Sequence, residues 1–169
     1  MELSEQIFFV RTATPQDVPA IREVLATTWR ATYVSFYGAS KVEEIIADWH
    51  SEASIKARLA KPNGEFLVAD DGTQIGGVAF ATIAEKTISL HQLYVLPHLH
   101  RQGIGQMLFA EIESCFIDAS VIALEVEPKN TAAIAFYQRH GFECKEITAN
   151  CGKADSGILA LKLTKSLKN

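Results

Sequence analysis

Residues 65–127 constrain the fold more than any other part of the chain. The stretch "EFLVADDGTQIGGVAFATIAEKTISLHQLYV" reads as strand, Asp-Gly turn, strand, tight turn and strand, an antiparallel meander. A proline and the basic segment "HLHRQGIGQ" follow, and then a helical period carried by Ile104, Leu108, Ile112 and Cys115 or Phe116, running to about residue 117. "SVIALEVE" comes next, a continuous β-rich run that suits a buried strand. A strand that feeds a helix and then another buried strand predicts a right-handed parallel crossover inside an otherwise antiparallel sheet.

The flanking segments extend this pattern. "IFFVR" is strand-like from Ile7, and "TPQD" starts a helix: Thr14 can cap, Pro15 suits the first helical position and Asp17 lies in the dipole-favoured first turn. Val18, Ile21, Leu25, Thr28 and Trp29 keep the helical period to about residue 31. Val42, Ile45, Ile46, Trp49, Ile55 and Leu59 mark one broken helix or two short ones. Toward the end, "NTAAIAFYQRHG" is a helix with Asn130 as N-cap and Gly141 as C-cap, and "FECKEITA" and "GILALKLT" are strands. The expected class is α/β (α+β): a mixed, mostly antiparallel seven-stranded sheet with a central parallel pair and about four helices. Its 169 residues contain no linker or repeat, which predicts a single domain over residues 1–169.

Composition narrows the function. Net charge is −4 with no block of like charges, so no basic surface is available for nucleic acid. No stretch approaches the roughly 20 apolar residues of a membrane span, and the first residues lack a basic segment followed by an apolar run. Cys115, Cys144 and Cys151 are odd in number and lack metal-ligand spacing. Reduced thiols in a soluble cytoplasmic protein are therefore expected. His50, His98, His100 and His140 have no partner spacing for a metal and read as loop or surface histidines, so no metal is expected.

The two glycines before the second helical period carry the chemistry. Backbone N–H groups at a helix start have no intrahelical acceptor and lie at the positive end of the helix dipole. Glycine allows a sharp turn there and lets a phosphate approach without meeting a Cβ. "HRQGIGQ" thus suits an anion cradle, with Arg101 able to add a charged contact. A dinucleotide fingerprint would need a third glycine where Leu108 stands, although Glu125 has about the right offset for its ribose-binding acid. A P-loop would need Lys-Ser/Thr where Gln106 and Met107 stand. A tight turn that binds nothing is the plain alternative.

His100-Arg101-Gln102-Gly103-Ile104-Gly105 resembles the central Gln/Arg-x-x-Gly-x-Gly/Ala motif of the GNAT superfamily of N-acetyltransferases, with His100 departing at the first position. Asn130, Ala133, Phe136, Tyr137, Gly141 and Phe142 resemble the same family's later Asn-x-x-Ala-x-x-Phe-Tyr-x-x-x-Gly-Phe pattern. The order of elements matches over nearly the whole chain.

The resemblance implies acetyl-CoA as cosubstrate. Its pyrophosphate would lie on the cradle of His100, Arg101, Gln102, Gly103, Ile104, Gly105 and Gln106. Leu93, Tyr94 and Val95 would lend main-chain groups to the pantetheine arm, between strands splayed near Val95 and Val126, and Asn130 would face the same arm. Tyr137 matches the family's tyrosine and would donate to the departing thiolate; a core aromatic is the other reading. His91 stands where related polyamine-type enzymes often have Glu, which makes it a candidate base, equally readable as a hydrogen-bonded strand histidine. Glu125 and Glu127 are rival bases or contacts for a cationic acceptor. Tyr33 and Phe36 are acceptor-side candidates, and Trp29 suits either the pocket or the core.

Transfer to an alkyl amine needs a base, because an ammonium of pKa ~10.4 is neutral in only about one part in 2,500 at pH 7, a cost of roughly 4.6 kcal/mol. Direct attack needs no protein nucleophile, and no Ser-His or Cys-His arrangement is evident. The expected activity is transfer of acetyl from acetyl-CoA to a primary amine of a small molecule or peptide. The mildly acidic balance and His91 favour a polyamine-like acceptor over a protein N-terminus of the ribosomal-protein type. A non-catalytic acyl-CoA sensor and a plain interaction module are the other classes, the latter binding no coenzyme A. Homodimers are common in the family.

Overall fold

The computed structural model describes residues 5–148 and 159–167. Seven strands form one sheet in the order β1-β2-β3-β4-β5-β7-β6. They are β1 (Phe9–Thr12), β2 (Gly64–Asp70), β3 (Ile75–Ala84), β4 (Thr87–Val95), β5 (Val121–Val126), β6 (Glu143–Thr148) and β7 (Ala160–Ser166). The helices are α1 (Val18–Tyr37), α2 (Ala39–Trp49), α3 (Glu52–Leu59), α4 (Ile104–Cys115) and α5 (Thr131–Arg139). β4 and β5 pair in parallel, Thr87 opposite Val121 through Leu90 opposite Leu124, on either side of α4 in the chain. β1·β2, β5·β7 and β6·β7 are antiparallel. The seven-stranded mixed sheet and its parallel pair agree with the sequence reading. The helices number five among the described residues rather than about four, because His50 and Ser51 separate α2 from α3.

By contacts the chain divides into two units, Met1–Phe80 with Gln92–Cys115, and Ala81–His91 with Phe116–Asn169. In the first unit, "TPQD" begins α1 through a 3-10 turn. Thr14 N–H donates to Asp17 Oδ2 at 2.7 Å, and Arg11 holds the same carboxylate at 2.8 and 2.9 Å. Those bonds keep the Asp17 carboxyl down at about 2. α1 then buries Val18, Ile21, Val24 and Leu25 against Ile55 of α3 and against Phe66, Val68, Val78 and Phe80 of β2 and β3. Each such side chain contributes roughly 1.5–3 kcal/mol by leaving water.

α1 does not stop near residue 31. It continues to Tyr37 and ends at Gly38, whose φ is +83°. Tyr33 and Phe36 therefore lie on the helix rather than beyond its end.

β3 carries a Gly76-Gly77 pair that seats the following turn. A Cβ at Gly76 would stand 2.6 Å from Leu99, and one at Gly77 would stand 3.0 Å from Leu108, 3.1 Å from the Tyr94 carbonyl and 3.2 Å from Ile104. Only glycine lets the residues on both sides of the turn lie this close to the strand.

In the second unit, β5 buries Ile122, Leu124 and Val126. α5 is capped by Asn130, whose Oδ1 accepts from Ala133 N–H at 3.3 Å, as the sequence predicts. Cys115 and Cys144 are free thiols, while Cys151 and the "NCGKADSG" loop lie outside the described residues. Among the described residues no helix is long and apolar enough to cross a membrane.

Candidate active site

In the first unit the chain leaves β4, passes a 3-10 turn (Pro97–Leu99) and enters α4 through two left-handed residues, Arg101 (φ 63°) and Gly103 (φ 83°). Met107 N–H donates to Gly103 O at 3.0 Å, which closes the first turn of α4. The N–H groups of Gly103, Ile104, Gly105 and Gln106 therefore have no acceptor within the helix. Nothing lies within 4 Å of where a Cβ of Gly103 would stand. A negatively charged group fits this open space, at the positive end of the helix dipole.

Arg101, Gln102, Gly103 and Gln106 are exposed, Gly105 is half-buried, and Ile104 is buried and anchors the helix. His100 does something the sequence did not announce. Its Nε2 donates to the Val95 carbonyl at 2.8 Å and ties the turn to the end of β4. Leu93, Tyr94 and Val95 are half-buried, with Tyr94 packed on the α1–β2–β3 core.

In the second unit, Tyr137 is buried, its ring 5.4 Å from both Phe136 and Phe142 in edge-on contacts. His91 is exposed on β4, with Thr82 Oγ1 at 2.8 Å from Nε2. Glu125 is exposed and lies opposite Lys162 across the β5·β7 ladder. Glu127 is buried, and its Oε1 accepts from Lys129 N–H at 3.2 Å, so this carboxylate shapes the turn that leads to Asn130. Lys129 follows Glu127 too closely for sequence spacing to separate that role from a catalytic one.

The acceptor-side candidates Tyr33 and Phe36 sit in an aromatic group with Trp29, Trp49 and Tyr37. Tyr33 lies 4.3 Å from Trp29, 6.0 Å from Phe36 and 6.1 Å from Tyr37, and Trp29 lies 5.6 Å from Trp49. His50 belongs here and corrects the sequence reading: it is 2% exposed, not on the surface, with its ring 5.3 Å from Trp29. Burial, with the nearby Arg58 charge, pushes its pKa down to about 3, so the imidazole is neutral. Arg58 is held by a 2.7 Å bond from Nη2 to the Trp49 carbonyl, and burial lowers its pKa. Among the described residues no group of His, Cys, Asp and Glu could hold a metal ion.

The chain belongs to the acetyltransferase (GNAT) family, whose pattern matches residues 19–142. Acetyl-CoA is the acyl donor of that class. The chain is 28% identical to the uncharacterized N-acetyltransferase YhfO of Bacillus subtilis (strain 168) over 101 residues, 55% of this chain and 68% of the relative. It is 30% identical to the N-alpha-acetyltransferase RimI of Mycobacterium tuberculosis over 95 residues, 54% of this chain and 60% of the relative. Its fold is similar to that of the PaiA N-acetyltransferase from Thermoplasma acidophilum, solved in complex with coenzyme A. The TM-score is 0.84, with 20% identity over 95% of this chain and 99% of the other.

Proposed function

We propose that the protein acetylates a primary amine of a small molecule or peptide in the cytoplasm, using acetyl-CoA directly. The observation that carries this reading is the left-handed turn at Arg101 and Gly103, open above Gly103 and ending in a helix N-terminus. Gly103, Ile104, Gly105 and Gln106 bind the pyrophosphate through backbone N–H groups, and Arg101 adds charge. His100 keeps the cradle on β4 through Val95. Leu93 and Val95 offer main-chain groups to the pantetheine arm, as does the Asn130 amide, whose NH2 takes no part in capping α5.

His91, oriented by Thr82, accepts the proton that the ammonium must lose before attack. The amine nitrogen then bonds to the acetyl carbon, the carbon–sulfur bond breaks, the Tyr137 hydroxyl protonates the departing thiolate, and the second proton, shed by the nitrogen as the amide forms, restores that hydroxyl. The 30% identity to an N-alpha-acetyltransferase favours a peptide N-terminus as the second acceptor reading. A polyamine-like acceptor rests on the net charge of −4 and on the position of His91.

Free-thiol release from acetyl-CoA is the test, across polyamines, amino acids, aminoglycosides and short peptides. Amine-dependent release from one class supports the reading. Tight acetyl-CoA binding without release from any amine would instead favour a sensor.

A further inference from the structure

We infer that Trp29, His50, Arg58 and Gln92 form a buried carboxylate-recognition site, and that the amine acetylated by this protein carries a carboxylate. The second half rests on the N-acetyltransferase reading above. Trp29 Nε1, Arg58 Nη1 and Gln92 Oε1 are shut off from solvent without a hydrogen-bond partner, and the buried His50 ring has no partner beyond a weak contact with the Trp49 backbone. A buried polar atom without a partner destabilises a fold by about 1–3 kcal/mol, and more beside a charge. What points to a ligand is their placement: these atoms all belong to one unit, and those of Trp29, His50 and Arg58 lie around Trp49.

The groups are connected through shared neighbours. Trp29 packs on both Trp49 and His50, and Arg58 Nη2 is fixed to the Trp49 carbonyl, leaving Nη1 to donate elsewhere. Gln92 lies on the same face of β4 as Tyr94, which acts electrostatically on Arg58. Among the described residues no acid pairs with Arg58. Arg58 is half-buried and only its Nη1 edge is shut off from solvent; such an edge, with no acid beside it, gains from an anion that meets it.

The chemistry of the set selects that anion. Arg58, the Trp29 indole and one N–H of a neutral imidazole are donors, which suits a carboxylate. Gln92 Oε1 is an acceptor and suits an amine N–H. One cation matches one negative charge; a phosphate dianion would need a second cation, and His50 is neutral. A polyamine would bring only positive charge toward Arg58.

The experiment first measures acetyl-CoA binding by calorimetry. It then compares thiol release for primary amines that differ only in bearing a carboxylate or the corresponding carboxamide, both as free amino acids and as short peptides. Wild-type protein should prefer the carboxylate at least about tenfold in kcat/KM, and the preference should vanish in Arg58→Gln while part returns in Arg58→Lys. Equal use of both, a preference for polyamines, or an unchanged ratio in Arg58→Gln would overturn the inference and leave the N-acetyltransferase reading standing.

Absence of thiol release from every amine would sink that reading instead. Tryptophan fluorescence, titrated with the carboxylate and carboxamide, then decides the site alone. Saturable carboxylate-selective binding supports it, and no binding, as expected if buried water alone completes the polar atoms, overturns it. Wild-type discrimination needs no variant, so a misfolded Arg58→Gln does not shelter the claim.

Discussion

His100 Nε2 donates to the carbonyl of Val95 at 2.8 Å, so the first residue of the glycine motif fastens the turn to the strand it has just left. A neutral bond of this kind is worth about 0.5–1.5 kcal/mol net. His100→Ala should therefore weaken acetyl-CoA binding by roughly 2- to 10-fold, with little change in kcat, measured by calorimetry and initial rates. An effect on kcat alone would mean that His100 acts on the chemistry rather than on the turn.

Gly103 and Gly72 offer a matched pair. Both have left-handed backbones, φ 83° and 90°, and neither has an atom within 4 Å of an added Cβ. Alanine at either site should cost about 1–2 kcal/mol of stability through backbone strain alone. Only Gly103→Ala should also weaken acetyl-CoA binding, by more than about tenfold, because its methyl enters the space given to the pyrophosphate. Equal affinity in the two variants would remove the cradle from the account.

His50 makes stability depend on pH. The folded state holds it neutral with a pKa of about 3, whereas the unfolded chain titrates near 6.5. The unfolded state thus binds the extra proton, and stability present above pH 6.5 is lost as the pH falls toward 3. Between pH 7 and pH 5 the loss should be about 2 kcal/mol, read by urea unfolding. His50→Gln should flatten that slope; an unchanged slope would assign it to other groups.

Asn130 supplies the cap of α5 from Oδ1 to Ala133 N–H. Asn130→Ala should lower stability by about 1 kcal/mol, or roughly 2–4 °C in Tm. Asn130→Asp, which keeps the acceptor oxygen, should restore most of that.

Much of this was legible because it is local. "TPQD" announces the α1 start, "IGG" through "LYV" reads as strand, and Asn130 caps α5 as expected, while its C-cap is His140 and Gly141, with φ 91°, follows one residue on. What failed was set by distant partners. The stretch "TYVSFY" weakens the helical signal with aromatic and β-branched residues, yet Tyr33 and Tyr37 stack within the aromatic group and α1 continues to Tyr37. His50 sits in the polar segment "DWHSEAS", and only the packing of the break between α2 and α3 buries it against Trp29. Gly76 and Gly77 read as ordinary strand residues, because the side chains that need their space come from Leu99, Ile104 and Leu108.

The central claim is that Tyr137 serves the chemical step of acetyl transfer from acetyl-CoA. Its ring is buried between Phe136 and Phe142, a setting that Phe can occupy without the hydroxyl. The decisive measurement is kcat for thiol release by wild type and Tyr137→Phe at saturating acetyl-CoA and amine. Loss of the donor to the departing sulfur should lower kcat by about 10²–10³-fold with acetyl-CoA affinity nearly unchanged. A full-rate Tyr137→Phe enzyme would contradict the account and leave Tyr137 a core aromatic.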